Sequence, residues 1–195
     1  MGAEYELKYR ADEEILSSVF TTFPARWQEI SMQTTYYDTP SHSLSARRWT
    51  LRQRMENTVS VCTLKTPGAG QERGEWETEC GDIVSAIPKL CKLGAPAELE
   101  TLCKEGLVIS CGARFLRRAG TFTLRNCVLE IALDQGRLLG GGKELPLCEL
   151  EIEHKSGSRD AVDAFAKELA EIYDLQPEEK SKFARALVLR SEVDG

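Results

Sequence analysis

No run of apolar residues in this chain approaches the roughly 20 that a membrane-crossing helix needs. The opening residues, MGAEYELKYR, hold no apolar segment of the secretory kind. Neither a membrane partner nor a leader is expected, and a cytoplasmic location is. Met1-Gly2 invites a myristoylation reading, but Glu6 stands where a Ser or Thr is needed. Histidine is scarce, with only His42 and His154. Neither is expected to bind metal, and His154 should point away from Glu153, to the outer face of its strand. The seven cysteines (62, 80, 91, 103, 111, 127 and 148) are scattered, odd in number and free of any C-x-x-C pair. That spacing argues against a disulfide framework or a zinc site and for small buried thiols in a reducing compartment. Positive charge is in deficit, with 25 Lys and Arg against 31 Asp and Glu, a net charge of -6. Wholesale attraction to nucleic acid is therefore excluded. There is no low-complexity tract and no linker, so 195 residues are read as one domain, 1–195.

What is present is a succession of strand and helix periods. Residues 3–10 read as a strand. Asp12 caps a helix with Ile15, Leu16, Val19 and Phe20 at helical spacing. Residues 30–38 form a strand that ends at Asp38-Thr39-Pro40. Residues 48–55 and 58–66 make a hairpin turning at Glu56-Asn57, and Pro67-Gly-Ala-Gly70 is a loop. Residues 73–80 are a strand, and 82–105 short helices interrupted at Pro88 and at Gly94-Ala-Pro96. Strands follow at 107–118, 121–126, 127–134 and 147–155, with Gly140-Gly-Gly142 as the widest turn. Ser158 caps a helix to about Tyr173, its stripe being Val162, Phe165, Leu169 and Ile172. A last helix covers roughly 178–192. Many antiparallel strands with a few helices define an α+β or barrel-like domain.

Five segments carry ionisable groups at every second position: Glu4/Glu6/Lys8, Arg52/Arg54, Arg73/Glu75/Glu77, Glu130/Asp134 and Glu149/Glu151/Glu153/Lys155. Apolar residues alternate with most of them, which an ordinary sheet with one wet face also produces. Glu149, Glu151 and Glu153, however, lie about 6.7 Å apart along one strand face. At an effective dielectric near 20, each neighbouring pair repels by roughly 2.5 kcal/mol. Such a row is tolerable in open water; in an enclosed site it needs cations, from a divalent metal or from arginines. Arg52 and Arg54 set two guanidinium forks side by side, a spacing that suits adjacent phosphates.

Glu4-Tyr-Glu-Leu-Lys8 resembles the E-x-E-x-K motif of the triphosphate tunnel metalloenzymes, the CYTH superfamily. The resemblance continues in order through Tyr36-Tyr-Asp-Thr-Pro40, Leu51-Arg-Gln-Arg54 and Thr63-Leu-Lys65. It runs on through Glu130-Ile-Ala-Leu-Asp134-Gln-Gly136, Cys148-Glu-Leu-Glu-Ile-Glu153 and Lys180-Ser-Lys-Phe-Ala-Arg185. The wording is most similar to that of bacterial inorganic triphosphatases, many of which carry a second, histidine-rich helical domain; with the sequence ending at Gly195, that domain is not expected here.

The resemblance implies an eight-stranded antiparallel barrel with a charged interior, covered outside by the amphipathic helices 12–23, 158–173 and 178–192. It implies divalent-metal-dependent hydrolysis of tripolyphosphate to pyrophosphate and phosphate. Thiamine triphosphate hydrolysis, ATP cyclisation and a non-catalytic polyphosphate-binding module are the alternatives. By resemblance, Glu4, Glu6 and Lys8 are catalytic. Lys8, Arg52, Arg54, Lys65, Arg117, Lys182 and Arg185 bind the triphosphate, although Arg185 could pair with a carboxylate instead. Glu4, Glu6, Asp134, Glu149 and Glu151 hold Mg2+ or Mn2+, with Glu130 and Glu153 beside them. Ala119 stands where some relatives have a further base. The expected partner is a small-molecule triphosphate, and the chain a monomer or homodimer.

Overall fold

The chain is described by a computed structural model covering residues 5–67, 73–124 and 126–191. Glu4 and the loop Gly68–Gly70 lie outside the described residues. The strands are β1 (Glu6–Arg10), β2 (Gln28–Asp38), β3 (Thr50–Glu56), β4 (Val59–Pro67), β5 (Arg73–Glu79), β6 (Val108–Leu124), β7 (Cys127–Gly140), β8 (Lys143–Gly157) and β9 (Gln176–Pro177). The helices are α1 (Glu13–Thr22), α2 (Ser43–Ala46), α3 (Ile83–Lys92), α4 (Glu98–Leu102), α5 (Arg159–Tyr173) and α6 (Lys182–Ser191). The architecture is α+β, as expected. The strands form one antiparallel sheet in the order β5-β4-β3-β2-β6-β7-β8-β1-β9. The expectation of a closed eight-stranded barrel needs correction. Among the described residues there are nine strands, because Gln176-Pro177 pairs with Tyr9 and Arg10, and no ladder joins β5 to β1 or β9. The sheet nonetheless curls until Glu75 and Glu77 of β5 and Glu6 and Lys8 of β1 line the same cavity, a strong expression of strand twist.

Several element boundaries differ from the sequence reading, each for a local reason. The strands expected at 107–118 and 121–126 are one strand, β6, because its ladder with β7 runs unbroken through Ala119 and Gly120. β7 and β8 extend to a two-residue hairpin at Gly141-Gly142, whose φ of 56° and 73° suits glycine. Pro88 lies inside α3 rather than ending it. Its missing bond falls to the carbonyl of solvent-exposed Val84, while Ile83, Ala86, Ile87 and Leu90 are buried and hold the helix down. α6 starts at Lys182, not 178. Glu178 is in extended chain, and Ser181 Oγ accepts from Ala184 N at 3.1 Å to cap the helix. On α5, Ala166 takes the buried place expected of Ile172, which is exposed. Asp12 and Ser158 cap α1 and α5 as predicted, accepting from Ile15 N and Ala161 N.

Two helical layers cover the convex face. α1 and α5 pack on Leu129, Ile131, Leu133, Leu150 and Ile152, the apolar alternates of β7 and β8. α3 and α4 pack on Leu51, Cys62 and Leu64 of β3 and β4. α6 does not join them on the outside. Its Ala186 and Leu189 pack on Phe115, Leu138 and Leu147, which share a sheet face with Arg117, Asp134 and Glu149. The inner face turns apolar at that end, so the helix's apolar stripe is buried within the concavity. The first turn of α6 thereby arrives beside the charged rows.

Candidate functional site

The concave face encloses a cavity of about 1540 Å³ lined by residues of every strand from β1 to β8 except β7's deepest positions. Register explains the lining. Arg52 pairs with Tyr36 and Thr63, Arg54 with Thr34 and Val61, and Lys65 with Thr50 and Glu75. These side chains share one face, so β3 and β4 make a basic wall. On the other side, Arg117 lies opposite Asp134, Asp134 opposite Glu149, and Lys8 opposite Glu151. β7, β8 and β1 therefore make an acidic wall. Tyr36, Met32 and Phe115 form the dry strip between the two walls.

The acidic wall centres on Asp134, Glu149 and Glu151. One carboxylate oxygen from each lies within 4.8 Å of the others, and all three are buried. Three cations answer them. Arg117 grips Asp134 with both Nε and Nη2, each at 2.7 Å, and also bonds Glu151. Lys182 Nζ sits among the three acids, 2.8 Å from Asp134 Oδ2 and 2.7 Å from Glu151 Oε1, and bonds Glu149 as well. Arg185 bonds Glu149 and reaches Glu178 at 3.4 Å. The expected choice for Arg185 thus falls on the carboxylates. Of the adjacent arginines, Arg117 points inward, whereas Arg118 pairs with Glu29 outside and stacks over Phe20.

Burial and charge pull the acids apart. Burial, reinforced by Glu151, pushes the Glu149 carboxyl up to about 7 against the pull of Lys182 and Arg185. Burial also opposes the charge on Glu151, but Lys182 and Arg117 overcome it and hold that group well below the ordinary range. Lys182 is raised despite its burial because Glu151, Asp134 and Glu149 surround it. A carboxyl raised in the folded state binds a proton there that it has lost in the unfolded chain between pH 4.5 and about 7. Stability from Glu149 therefore falls as pH rises through that window. Glu149→Gln should flatten this slope, and urea denaturation at pH 5 and pH 7.5 checks it. An unchanged pH difference between the two proteins sinks the assignment.

The basic wall is less satisfied. Arg52 Nη2 is 3.8 Å from Glu75, Lys65 Nζ 3.2 Å from Glu75, and Arg54 Nη2 pairs with Glu56. The Nε atoms of Arg52 and Arg54 are buried with no hydrogen-bond partner. Burial, and then the neighbouring Arg52, depress the Arg54 pKa, Glu56 opposing and Arg117 adding to the fall. Two adjacent guanidinium groups that line the cavity and keep unsatisfied N–H donors among the described residues have the chemistry that suits an oxyanion.

Glu6 lines the cavity 3.8 Å from Lys8. Glu130 and Glu153 face Lys155, at 3.5 and 2.7 Å. Ala119 lines the cavity without a charge. His154, expected on the outer face, instead lines the cavity rim with Glu153, where the β7–β8 register shifts, and it bonds the Gly157 carbonyl at 3.0 Å. The sequence reading passed over Glu178, which is buried and ties Arg10 and Arg185 together; it stands in no alternating row, so no period could reveal it. Asp38 of the Tyr-Tyr-Asp-Thr-Pro turn is structural. It accepts from the backbone N–H of Thr39, Leu44 and Ser45 and so anchors α2 at the cavity mouth. Trp27 and Trp49 pack against the core clusters.

An antiparallel curl with facing basic and acidic walls defines a class of anion-handling domain. The CYTH domain family matches residues 2–187, and the chain belongs to that family. The chain is 30% identical over 169 residues to the inorganic triphosphatase of Haemophilus influenzae, across 85% of this chain and 47% of that protein. It thus spans about half the length of this curated relative. Among solved structures, the fold is similar to the PH1819 protein of Pyrococcus horikoshii, with TM-score 0.66, 24% identity and coverage of 96% of this chain and 99% of that one. It is also similar to HpAC1 of Hippeastrum, described as a putative adenylyl cyclase with a dominant triphosphatase activity, at TM-score 0.70, 18% identity and 96% coverage of each.

Proposed function

We propose that this chain, as a single domain, hydrolyses inorganic triphosphate to pyrophosphate and phosphate with a divalent cation. The observation that carries the reading is the pair of buried, unpartnered Nε donors on Arg52 and Arg54, facing an acidic wall across one cavity. Arg52, Arg54, Lys65 and Lys8 hold the phosphate oxygens and fix the chain in line, and positioning of this kind does most of the work in phosphoryl transfer. Arg117, Lys182 and Arg185, bound to carboxylates here, shape the acidic wall and can turn a donor toward the anion. Glu6 accepts the proton of the attacking water. The new P–O bond forms at the terminal phosphorus as the bridging P–O bond breaks, and pyrophosphate departs with the electron pair.

Asp134, Glu149 and Glu151 fit a hard cation, because all donors are oxygen and a positive group, Lys182 Nζ, already occupies their midst. With Glu6, and with Glu4 beyond the described residues, they would hold Mg2+ or Mn2+, which when bound offsets phosphate charge and lowers the pKa of water. Phosphate release measured over tripolyphosphate, thiamine triphosphate and ATP, with Mg2+, Mn2+ and EDTA, tests the proposal. Fastest release from tripolyphosphate, abolished by EDTA, is expected. Preference for either organic triphosphate, or binding without turnover, overturns it.

A further inference from the structure

Among the described residues, every lysine and arginine lining the cavity except Arg48 has a carboxylate within 4.0 Å. Arg48 lines the cavity with neither an ion pair nor a side-chain hydrogen bond. Its backbone is also unusual. At φ 57° it occupies the left-handed region, which glycine enters without steric cost and arginine does not. The turn is built firmly around it. Arg48 N donates to the Ser45 carbonyl at 2.8 Å, and Trp49 N to the Leu44 carbonyl at 2.9 Å. Leu44 is fully buried, and Trp49 packs on the same core cluster. A strained turn thus carries an uncommitted cation to the mouth of the cavity, beside His42 and Ser45.

Its place just ahead of β3 says what that cation can meet. Arg54 and Arg52 are largely enclosed, with side chains 17% and 15% exposed. Thr50 stands opposite Lys65, and Arg48 comes next toward the mouth. Arg48 is four positions before Arg52, at most about 14 Å of extended chain, a gap that two long side chains can shorten. A diphosphate held by Arg52 and Arg54 and aligned along the wall would end short of Arg48, whereas a third phosphate on the Arg52 side would extend toward it.

Resting on the triphosphatase reading, we propose that Arg48 is a specificity-determining residue that contacts the outermost phosphate of a bound linear triphosphate. It thereby favours three phosphates over two and helps pyrophosphate leave. Arg48→Gly removes the charge and relieves the backbone, so the fold is retained. Expected is a rise in KM for tripolyphosphate of roughly 5- to 20-fold, the value of one charge-assisted contact at a wet site. Competitive inhibition by pyrophosphate should change less than about twofold, with Tm equal to or above that of the parent. Arg48→Lys, keeping the charge, should recover part of the loss. A KM within about twofold of the parent overturns the proposal, as does equal weakening toward pyrophosphate and tripolyphosphate. Calorimetric titration of tripolyphosphate in EDTA reads the same contact without turnover. If the parent protein hydrolyses no triphosphate, the enzymatic reading fails while that titration still decides for or against Arg48: a 5- to 20-fold weaker Kd supports it, and an unchanged Kd overturns it.

Discussion

Glu6→Ala should lower phosphate release from tripolyphosphate by about 100-fold or more while leaving the fold intact. The size follows from removing a group that moves a proton or positions charge in the transition state. Intact folding follows from its surroundings. The Glu6 side chain is 26% exposed and its ion pair with Lys8 is long, at 3.8 Å, so the pair contributes little to stability. Steady-state kinetics beside a thermal melt checks both halves. Near-parental kcat in the variant removes Glu6 from the mechanism, whereas loss of activity with a collapsed melt shows only misfolding. Glu6→Gln, which keeps the shape, should be nearly as inactive as Glu6→Ala.

Lys182→Met should destabilise the protein by about 3–5 kcal/mol at pH 7.5, the cost of breaking a buried charge network from one side. Lys182 is only 10% exposed and touches all three buried acids. Its removal leaves Asp134, Glu149 and Glu151 facing one another with Arg117 and Arg185 alone to balance them. The loss should shrink as pH falls toward 5.5, because Glu149, already raised to about 7 by burial, takes up a proton and relieves the repulsion. A divalent cation should raise the Tm of this variant more than that of the parent, since it can enter where the ammonium was. Urea denaturation at two pH values, with and without Mg2+, measures this. A loss under about 1 kcal/mol, or no differential effect of metal, contradicts a trio held together by Lys182.

Most strands were legible in the sequence because charge alternated with apolar residues, as at Glu6/Lys8 and Glu149/Glu151/Glu153. The helix caps at Asp12 and Ser158 were legible because capping is local chemistry. What failed was longer in range. Pro88 reads as a breaker, yet four buried neighbours outweigh one lost hydrogen bond. The strands reaching to the Gly141-Gly142 hairpin carry few alternating charges beyond Gly136, so their period faded. Nothing local marks Glu178, whose importance lies in reaching Arg10 and Arg185 from separate elements.

By itself the sequence determined which side chains share a strand face, because strand alternation is set within a few residues. It also determined that acids and bases are segregated by strand, arginines on β3 and carboxylates on β7 and β8. Only the tertiary structure decided which face is enclosed and that, among the described residues, the sheet is an open curl of nine strands. It likewise placed α6 inside the concavity rather than over the outside. Those choices depend on how twist accumulates across the sheet and on where an apolar helix stripe finds its buried partner, and both are properties of distant segments meeting. The same meeting sets Lys182 among the three acids and leaves Arg48 without one.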